Sequence, residues 1–523
     1  MRRGNDPEDS TSDHRLIGAF RFLLVSLNID AILEESTVYR RRERLSRMAN
    51  GLGLGDAYGA TIERIKVQSG DKSRLGMEAL MWVSHAERPL KANELCHALA
   101  VELGSTTFNN TNVPSMSILV SCCQGLITVD KDASTVRLVH YTLQEYLSSH
   151  PDIFSTPHSA MSEICMTYMK SELVKTISAD HYPGLSDTPF LEYCSFYWGV
   201  HAKRQLSDRA MTLALELLQE HDGHISTQLL LRRVKGRRLR NSGANFRFNG
   251  LHHASFFGIT EVAAILIELE CYDANGGDFW GCSPLSWAAR NGHEEVVEIL
   301  LGQEAVNPDK PDYSHQTPLS LAARNGHEGV VKILLGQGEV NPNMPDNCGI
   351  TPLVYAASRG YEGVVKILLG RKAVNPDKPD DDGRTPLLFA AWNGHEGVVK
   401  ILLERGEVNP DKPTSWGQTP LSYAAEYGHE GVVKILLERQ EVNPDQPTSF
   451  GRTPIWYAAE NGHEGVVKML LVREEVNPNR PDNEGITPLM HAARCGHKRG
   501  IELLKPHQAV TPRATPGLGH TIS

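Results

Sequence analysis

A repeat of 34 residues constrains the fold of this chain more than any other feature. The pair Thr385-Pro386 recurs at that interval at Ser283-Pro284, Thr317-Pro318, Thr351-Pro352, Thr419-Pro420, Thr453-Pro454 and Thr487-Pro488. One more step toward the N-terminus reaches Asn249, where "NGLHHAS" is a diverged copy. A fixed period of about 20 to 50 residues is the signature of stacked repeat folds. We therefore predict about eight units over residues 249–505, the first diverged and the last truncated.

Each unit has the pattern of two short helices and a loop. In the copy from Asp381 to Arg405, Thr385 suits a helix N-cap and Pro386 suits the first helical position. "LLFAAW" predicts a first helix that ends near Gly394, and "HEGVVKILLER" predicts a second helix with one apolar face. The "DxxG" stretch that leads into Thr385-Pro386 is a β-turn signal. The pattern predicts an all-α solenoid.

The stretch "DDGRTPLLFAAWNGHEGVVKILL" resembles an ankyrin repeat in its turn, its Thr-Pro-Leu helix start, its paired alanines and its Gly-His between helices. The resemblance covers about half of the chain and implies a module that binds other proteins. Two departures bear on the fold. The histidine that customarily follows Thr-Pro-Leu survives only as His252, which puts one hydrogen bond per repeat in question. His315 replaces the turn glycine of other copies, so we predict a strained hairpin there, although histidine tolerates positive φ better than most residues.

Paired histidine and glutamate residues, such as His395 and Glu396, suggest metal or acid–base chemistry at first sight. The histidine recurs at the same repeat position as His293, His327, His395, His429, His463 and His497, with Tyr361 in the exceptional copy. Stacked helices lie about 8–10 Å apart, whereas metal ligands lie within about 2 Å of one ion, so the ladder cannot share a metal. We predict instead that the histidine makes a hydrogen bond at the helix start and that the glutamate compensates the helix dipole. No metal ligand and no catalytic residue is predicted.

Partner binding in a solenoid is expected at positions that differ between units while the frame stays constant. These positions are the two hairpin-tip residues, the residue before Thr-Pro and the two residues after the paired alanines, here called the variable face. By analogy with ankyrin domains, the variable face lines the concave recognition surface. The predicted partner-binding residues are Phe279, Trp280, Arg290, Tyr313, Arg324, Arg359, Arg384, Trp392, Trp416, Tyr427, Phe450, Arg452 and Arg494. Trp, Tyr and Arg are the usual hot-spot residues, although some of the aromatic residues could simply pack on neighbouring hairpins.

The N-terminal half has no repeat and reads as mostly helical. "GLGDAYGATIERI" (53–65), "ALMWVSHAERPLKANELCHALAVE" (79–102) and "VRLVHYTLQEYL" (136–147) resemble the winged-helix segment that follows the nucleotide-binding core of fungal NACHT-type STAND proteins. The segment is also similar to that of GPI inositol-deacylase-like proteins. "PFLEYCSFYWGVHA" (189–202) resembles the helical connector to ankyrin arrays. The predicted organisation is a disordered N-terminus (1–13), a helical segment (14–78), a winged-helix-like domain (79–155), a helical connector (156–248), the repeats and a disordered tail (506–523).

Two motifs of catalytic relatives are missing from the sequence. No GxxxxGK[ST] phosphate loop and no GxSxG nucleophile elbow is present. In NACHT proteins a winged-helix histidine contacts the nucleotide phosphate, and His140 of "HYTLQEYL" matches it. Without a phosphate loop, a structural role is favoured for this vestigial candidate. We therefore predict no cofactor, no small-molecule substrate and no enzymatic activity.

The leading interpretation is a protein-interaction scaffold or sensor, the ligand-recognition end of a NACHT/STAND-type signalling protein that lacks its P-loop. Basic clusters at residues 39–47 and 232–240 leave a winged-helix DNA-associated regulator open, although the net charge of -10 argues against a nucleic-acid partner. A fragment of a larger NTPase or hydrolase, with its catalytic domain upstream, is a further alternative. The polar N-terminus, the lack of a membrane-spanning run and nine scattered cysteines predict a cytoplasmic protein, or a nuclear one if the second cluster is an import signal.

Overall fold

The computed structural model describes residues 36–43, 54–177, 187–219, 224–235, 247–270 and 272–507. The predicted disordered N-terminus, nearly all of the predicted tail and parts of both basic clusters lie outside these residues. The chain divides into two compact units, Met1–Leu266 and Ile267–Ser523. Each unit is described by itself.

The first unit begins with helices and a small hairpin. Its elements are α1 (Leu54–Lys66), α2 (Asp71–His85), α3 (Ala92–Leu99), α4 (Met116–Cys122), β1 (Ile127–Asp130), β2 (Thr135–Leu138) and α5 (Tyr141–Ser149), with a 3-10 turn at Asn110–Asn112. The strands are antiparallel, and Ile127 pairs with Leu138. The Val136 N–H of β2 donates to the Leu90 carbonyl over 2.8 Å, so the segment before α3 pairs with the hairpin at β2. This order of helices and hairpin is that of a winged helix, and α2 crosses the boundary predicted at 78/79.

Among the described residues, five further helices lie within the segment predicted as the connector. After a 3-10 turn (Pro151–Ile153), they are α6 (Pro157–Lys170), α7 (Glu172–Lys175), α8 (Leu191–Arg204), α9 (Asp208–Gln219) and α10 (Ile225–Lys235). The buried Trp82 of α2 meets the Phe190 ring edge-on at 5.3 Å and the Tyr193 ring at 5.8 Å. A Cβ at Gly199 would lie 2.2 Å from the Phe257 ring, so only glycine allows this close approach. The winged helix and the connector therefore share one aromatic core.

Eight helix pairs follow, at the repeat interval predicted from the sequence. The pairs are α11 (Gly250–Phe257) and α12 (Thr260–Glu268), α13 (Pro284–Asn291) and α14 (Glu294–Leu301), α15 (Pro318–Asn325) and α16 (Glu328–Gly336), α17 (Pro352–Arg359) and α18 (Glu362–Leu369), α19 (Pro386–Trp392) and α20 (Glu396–Leu403), α21 (Pro420–Glu426) and α22 (Glu430–Leu437), α23 (Pro454–Asn461) and α24 (Glu464–Leu471), α25 (Pro488–Cys495) and α26 (Lys498–Leu504). A 3-10 turn at Lys505–His507 ends the described residues. We number the repeats 1 to 8 in this order.

Local sequence explains where these helices begin and end. The Thr385 hydroxyl accepts from the Leu388 N–H over 3.2 Å, a cap worth about 1 kcal/mol. Gly394 has a φ of +74°, the left-handed conformation that ends the first helix. Ala390 and Ala391 are fully buried, because the first helices of successive repeats pack against each other. The predicted α-solenoid is confirmed.

The hairpin between repeats is held by a buried acidic or hydroxyl side chain. Asp380 Oδ1 accepts from the Asp382 N–H at 3.0 Å and from the Arg384 N–H at 2.8 Å. The Ser415 N–H donates to the Asp382 carbonyl over 3.0 Å, which joins one hairpin tip to the next. His315 has a φ of +60°, so the unusual hairpin predicted there is confirmed. These bonds fix where the tip side chains of the variable face are displayed.

The hydrogen bond customarily made by the histidine after Thr-Pro-Leu is made by a hydroxyl in repeat 6. The Thr419 N–H donates to Ser422 Oγ over 2.7 Å. In repeat 1 the Asn249 N–H donates to His252 Nδ1 over 3.3 Å. A serine at this position can therefore replace the histidine at the helix start.

Candidate functional site

The histidine ladder connects successive repeats. His395 Nε2 donates to the Ser358 carbonyl over 3.1 Å, and His429 Nε2 donates to the Trp392 carbonyl over 2.9 Å. Equivalent bonds run from His327 to Arg290, from His463 to Glu426 and from His497 to Glu460. The last carbonyls of a helix have no partner within it, and these histidines supply one.

The histidine was predicted to make its hydrogen bond at the start of its own helix. That prediction is wrong, because the histidine bonds to the preceding repeat instead. His395 precedes its own helix, but its side chain makes no cap there, because the ring points to the preceding repeat. The Glu396 carboxylate lies against the start of the next second helix, where a Cβ at Gly431 would be 1.8 Å from Oε1. Among the described residues, no group of three or more His, Cys, Asp or Glu side chains is placed to hold a metal ion. The ladder is a framework that fixes the distance between repeats.

An aromatic cluster lies at the centre of the variable face. The Trp392 ring stacks on Tyr423 at 5.1 Å and lies 6.0 Å from both Phe389 and Tyr427. We call these four residues the aromatic platform. Tyr427 is 47% exposed and the other three are partly exposed, so the platform offers apolar area to a ligand.

Sequence reasoning identified only half of this platform. Phe389 and Tyr423 directly precede the paired alanines, a position that was not included in the variable face. The signal was present, because the same position holds Trp287, Leu321 and Tyr355 in other repeats and therefore varies as well. The first helices bring this position beside the one predicted.

The hairpin tips carry a second aromatic surface. Trp416 and Phe450 stack at 6.3 Å, and they are 58% and 51% exposed. Tyr313 is 73% exposed, and the Phe279 ring packs edge-on against Trp280 at 5.4 Å. These contacts agree in part with each interpretation: the tips pack on one another and still present broad exposed faces.

The arginines of the variable face fall into two groups. Arg384 pairs with Asp380 at 2.7 Å and with Asp382 at 2.8 Å, so it braces its own hairpin. Arg452 lies over the Trp456 ring at 4.3 Å, and its Nε is 3.8 Å from Asp482 Oδ2. The remaining predicted arginines are at the ends of first helices and are partly or fully exposed: Arg290, Arg324, Arg359 and Arg494.

Three of these arginines converge. Arg290, Arg324 and Arg359 line a cleft of about 220 Å³ together with Tyr361, and we call this the arginine cleft. Arg494, at the equivalent position of repeat 8, is not among the residues that line it. The arginine cleft and the aromatic platform both lie along the first helices of the repeats.

The winged helix has little that would suit DNA. Helix α4, "MSILVSC", precedes the wing and carries no basic residue. The wing itself holds Asp130, Lys131 and Asp132, so it is not basic either. Because phosphate contacts dominate affinity for duplex DNA, this surface does not favour the DNA-associated alternative.

His140, the vestigial nucleotide-contact candidate, caps its own helix. Its Nδ1 lies 2.8 Å from the Thr142 hydroxyl and accepts from the Thr142 N–H at 3.4 Å. The Tyr58 hydroxyl lies 2.8 Å from the same threonine hydroxyl. The imidazole is therefore part of the packing between α1 and α5.

The first unit holds a buried histidine network beside a cavity of about 560 Å³. The Tyr193 hydroxyl accepts from the Glu87 N–H at 3.1 Å and is hydrogen-bonded to His201 Nε2 at 2.9 Å. His201 Nδ1 and His158 Nδ1 share a hydrogen bond of 2.9 Å. Burial lowers the pKa of His201 to about 3 and, aided by the Arg204 charge, that of His158 to about 4. Both rings are neutral near pH 7.

None of the helices in the described ranges is long and apolar enough to cross a membrane.

Comparison with known protein families agrees with this architecture. A model of ankyrin repeats in three copies matches residues 217–312, 303–380, 319–414, 362–448 and 439–514, together more than half of the chain. The GPI inositol-deacylase winged helix domain matches residues 62–158. A search of curated proteins found no match. The repeats support a role as a protein-interaction scaffold, and the chain belongs to the ankyrin-repeat family.

Proposed function

We propose that this protein is a non-enzymatic scaffold or sensor that binds a protein partner on the variable face. The observation that carries the proposal is the aromatic platform, whose four rings are presented together by two neighbouring first helices. Trp and Tyr supply large apolar area at low entropic cost, and they are enriched among residues that dominate binding energy.

The contrast between frame and variable positions supports this proposal. Each repeat keeps its cap, its buried alanines and its second helix, while Trp392 replaces Arg324 or Glu426 at the same position. The helix itself does not require Trp392, since its counterparts make equivalent helices with other side chains. A residue that is costly to expose and absent from sister repeats is best explained by a ligand.

We further propose that the chain is the ligand-recognition end of a NACHT/STAND-type signalling protein. The order of winged helix, connector and ankyrin array supports this, because the winged helix would relay ligand binding to a nucleotide switch. The sequence carries no phosphate loop, so the switch itself would belong to another segment or partner. The eight cysteines within the described residues are all free, which supports the cytoplasm or the nucleus as its location.

Affinity capture with the full chain tests the binding face. Proteins bound by the wild type are identified by quantitative mass spectrometry and compared with those bound by Trp392→Ala and Trp416→Ala. Tyr141→Ala is the matched control, because Tyr141 is 62% exposed on the winged helix. We expect the two tryptophan variants to lose a partner that the control retains. If all four proteins capture the same set, the variable face is not the binding surface.

A further inference from the structure

The first position after the paired alanines changes in charge along the array. From repeat 2 to repeat 8 it holds Arg290, Arg324, Ser358, Trp392, Glu426, Glu460 and Arg494. The histidine ladder holds the backbone carbonyls of most of these residues, so their side chains extend from equivalent backbone positions. We call these seven residues the row. The row is basic at repeats 2 and 3, aromatic at repeat 5 and acidic at repeats 6 and 7.

The arginine cleft opens where the ladder is interrupted. Tyr361 replaces the ladder histidine in repeat 4 and lines the cleft. Its ring lies against Gly326, where a Cβ would be 2.9 Å away. Arg359 joins the cleft from the position next to Ser358, so arginines from three successive repeats line one cleft.

The positive charge of the cleft is not neutralised within the described part of the chain. None of the side chains of Arg290, Arg324 and Arg359 makes an ion pair with a described carboxylate. The charges of Asp312 and Asp278 both reach Arg290, but Oδ1 of each already accepts two backbone N–H groups of its own hairpin at 2.8 or 2.9 Å. Burial lowers the pKa of the Arg290 guanidinium, and the like charge of Arg324 lowers it further. An anion in the cleft would relieve this repulsion.

Repeats 6 and 7 carry the opposite charge, before the row returns to an arginine, Arg494, in repeat 8. Glu426 Oε2 is buried without a hydrogen-bond partner among the described residues. Burial raises the pKa of Glu426, and the neighbouring Glu460 raises it further. A second anion would be repelled there, so the charge of the row differs between the arginine cleft and repeats 6 and 7.

We propose that the arginine cleft binds an anionic side chain, a carboxylate or a phosphate, of an extended protein segment that also contacts the aromatic platform. Guanidinium groups suit this role, because they donate two parallel hydrogen bonds to a carboxylate or phosphate. Arg324 and Trp392 are two repeats apart, about 16–20 Å at the spacing of packed helices. An extended chain covers that distance in about six residues. The assignment rests on the proposed function, since it specifies the ligand of the same face.

Selection of peptides on the full chain tests the charge requirement. A display library of random 12-residue peptides, a length of about twice the six-residue span, is selected on wild type, Arg324→Glu and Lys332→Glu. Lys332 is exposed on the second helix of repeat 3, so its reversal changes the net charge equally on another surface. We expect peptides from wild type and from Lys332→Glu to be enriched at least about threefold in Asp and Glu, and those from Arg324→Glu to lose this enrichment. Circular dichroism of each variant establishes that it is folded.

A selected peptide then distinguishes the two sources of negative charge. Its acidic residue is replaced by glutamine or by phosphoserine, and the affinity is measured by fluorescence anisotropy. Glutamine should weaken binding at least about tenfold, and the phosphoserine form will bind more tightly if the cleft suits phosphate and more weakly if it suits carboxylate.

The contrary outcomes separate the anion assignment from the proposed function. Enriched peptides that need Trp392 but show no acidic preference would overturn the anion assignment and leave the proposed function intact. Tighter binding of a single-stranded oligonucleotide than of any peptide would also overturn it, in favour of a nucleic acid. A folded wild type that enriches no peptide would contradict both proposals.

Discussion

Gly394→Ala should destabilise the array by about 2–3 kcal/mol through two separable effects. Gly394 has a φ of +74°, and an L-residue in that conformation costs about 1–2 kcal/mol. The new Cβ would also lie 2.6 Å from His429 Nδ1. The ring must therefore move, which breaks its 2.9 Å bond to the Trp392 carbonyl, worth about 1 kcal/mol.

Gly496→Ala is the matched control for the backbone effect. Gly496 ends the first helix of repeat 8 with a φ of +78°, but nothing lies within 4 Å of its virtual Cβ. Only the backbone penalty of about 1–2 kcal/mol should remain there. In a background with His429→Ala, the penalty of Gly394→Ala should fall by about 1 kcal/mol, to the backbone part.

Urea unfolding of the full chain, followed by circular dichroism, gives these free energies of unfolding. The four proteins of the cycle are wild type, the two single variants and the double variant. Because repeat arrays can unfold in segments, the transitions are compared only where their slopes agree. If the two substitutions add within about 0.3–0.5 kcal/mol, the histidine ladder is not coupled to the glycine and the reasoning fails.

Three further predictions concern particular side chains. His201 has a pKa lowered from its ordinary 6.5 to about 3, so the unfolded state binds more protons below pH 6.5 and stability falls as the pH drops. His201 should account for about 2 kcal/mol of this loss at pH 5 and His158, with a pKa of about 4, for a similar amount, so His201→Gln should remove about half of the loss seen in urea unfolding of wild type; an unchanged slope would contradict it. Tyr361→His should stabilise the array by about 1 kcal/mol, because histidine would donate to the Arg324 carbonyl, and no rise in the urea midpoint would show that the bond cannot form there. His315→Gly should stabilise by about 0.5 kcal/mol, since the release of left-handed strain exceeds the added backbone entropy, and a lower melting temperature would refute the strain.

Local signals explain what the sequence predicted correctly. Thr385 and Gly394 act within their own helix, so spacing alone identified the caps, the helix pairs and the repeat. The partner of His395 could not be found in this way, because Ser358 lies 37 residues earlier and only stacking brings it near. The same reason hid Phe389 and Tyr423: their contribution to the platform depends on how two first helices pack.

The arginine cleft is a second feature that the sequence predicted only in part. Each of its arginines was identified from the sequence, but their convergence was not, because Arg359 comes from a different helix position than Arg290 and Arg324. Tyr361 was noted only as an exception to the ladder. Side-chain direction, which spacing does not specify, makes this exception one wall of the cleft.

The affinity of a captured partner for Trp392→Ala tests the central claim most directly. The partner retained by wild type is purified, and its dissociation constant is measured by calorimetry with wild type, Trp392→Ala and Tyr141→Ala. Hot-spot residues contribute about 2 kcal/mol or more, so we predict at least about a thirtyfold weaker affinity for Trp392→Ala and less than about a threefold change for Tyr141→Ala. Equal affinities for wild type and a folded Trp392→Ala would contradict the assignment of the variable face as the binding surface.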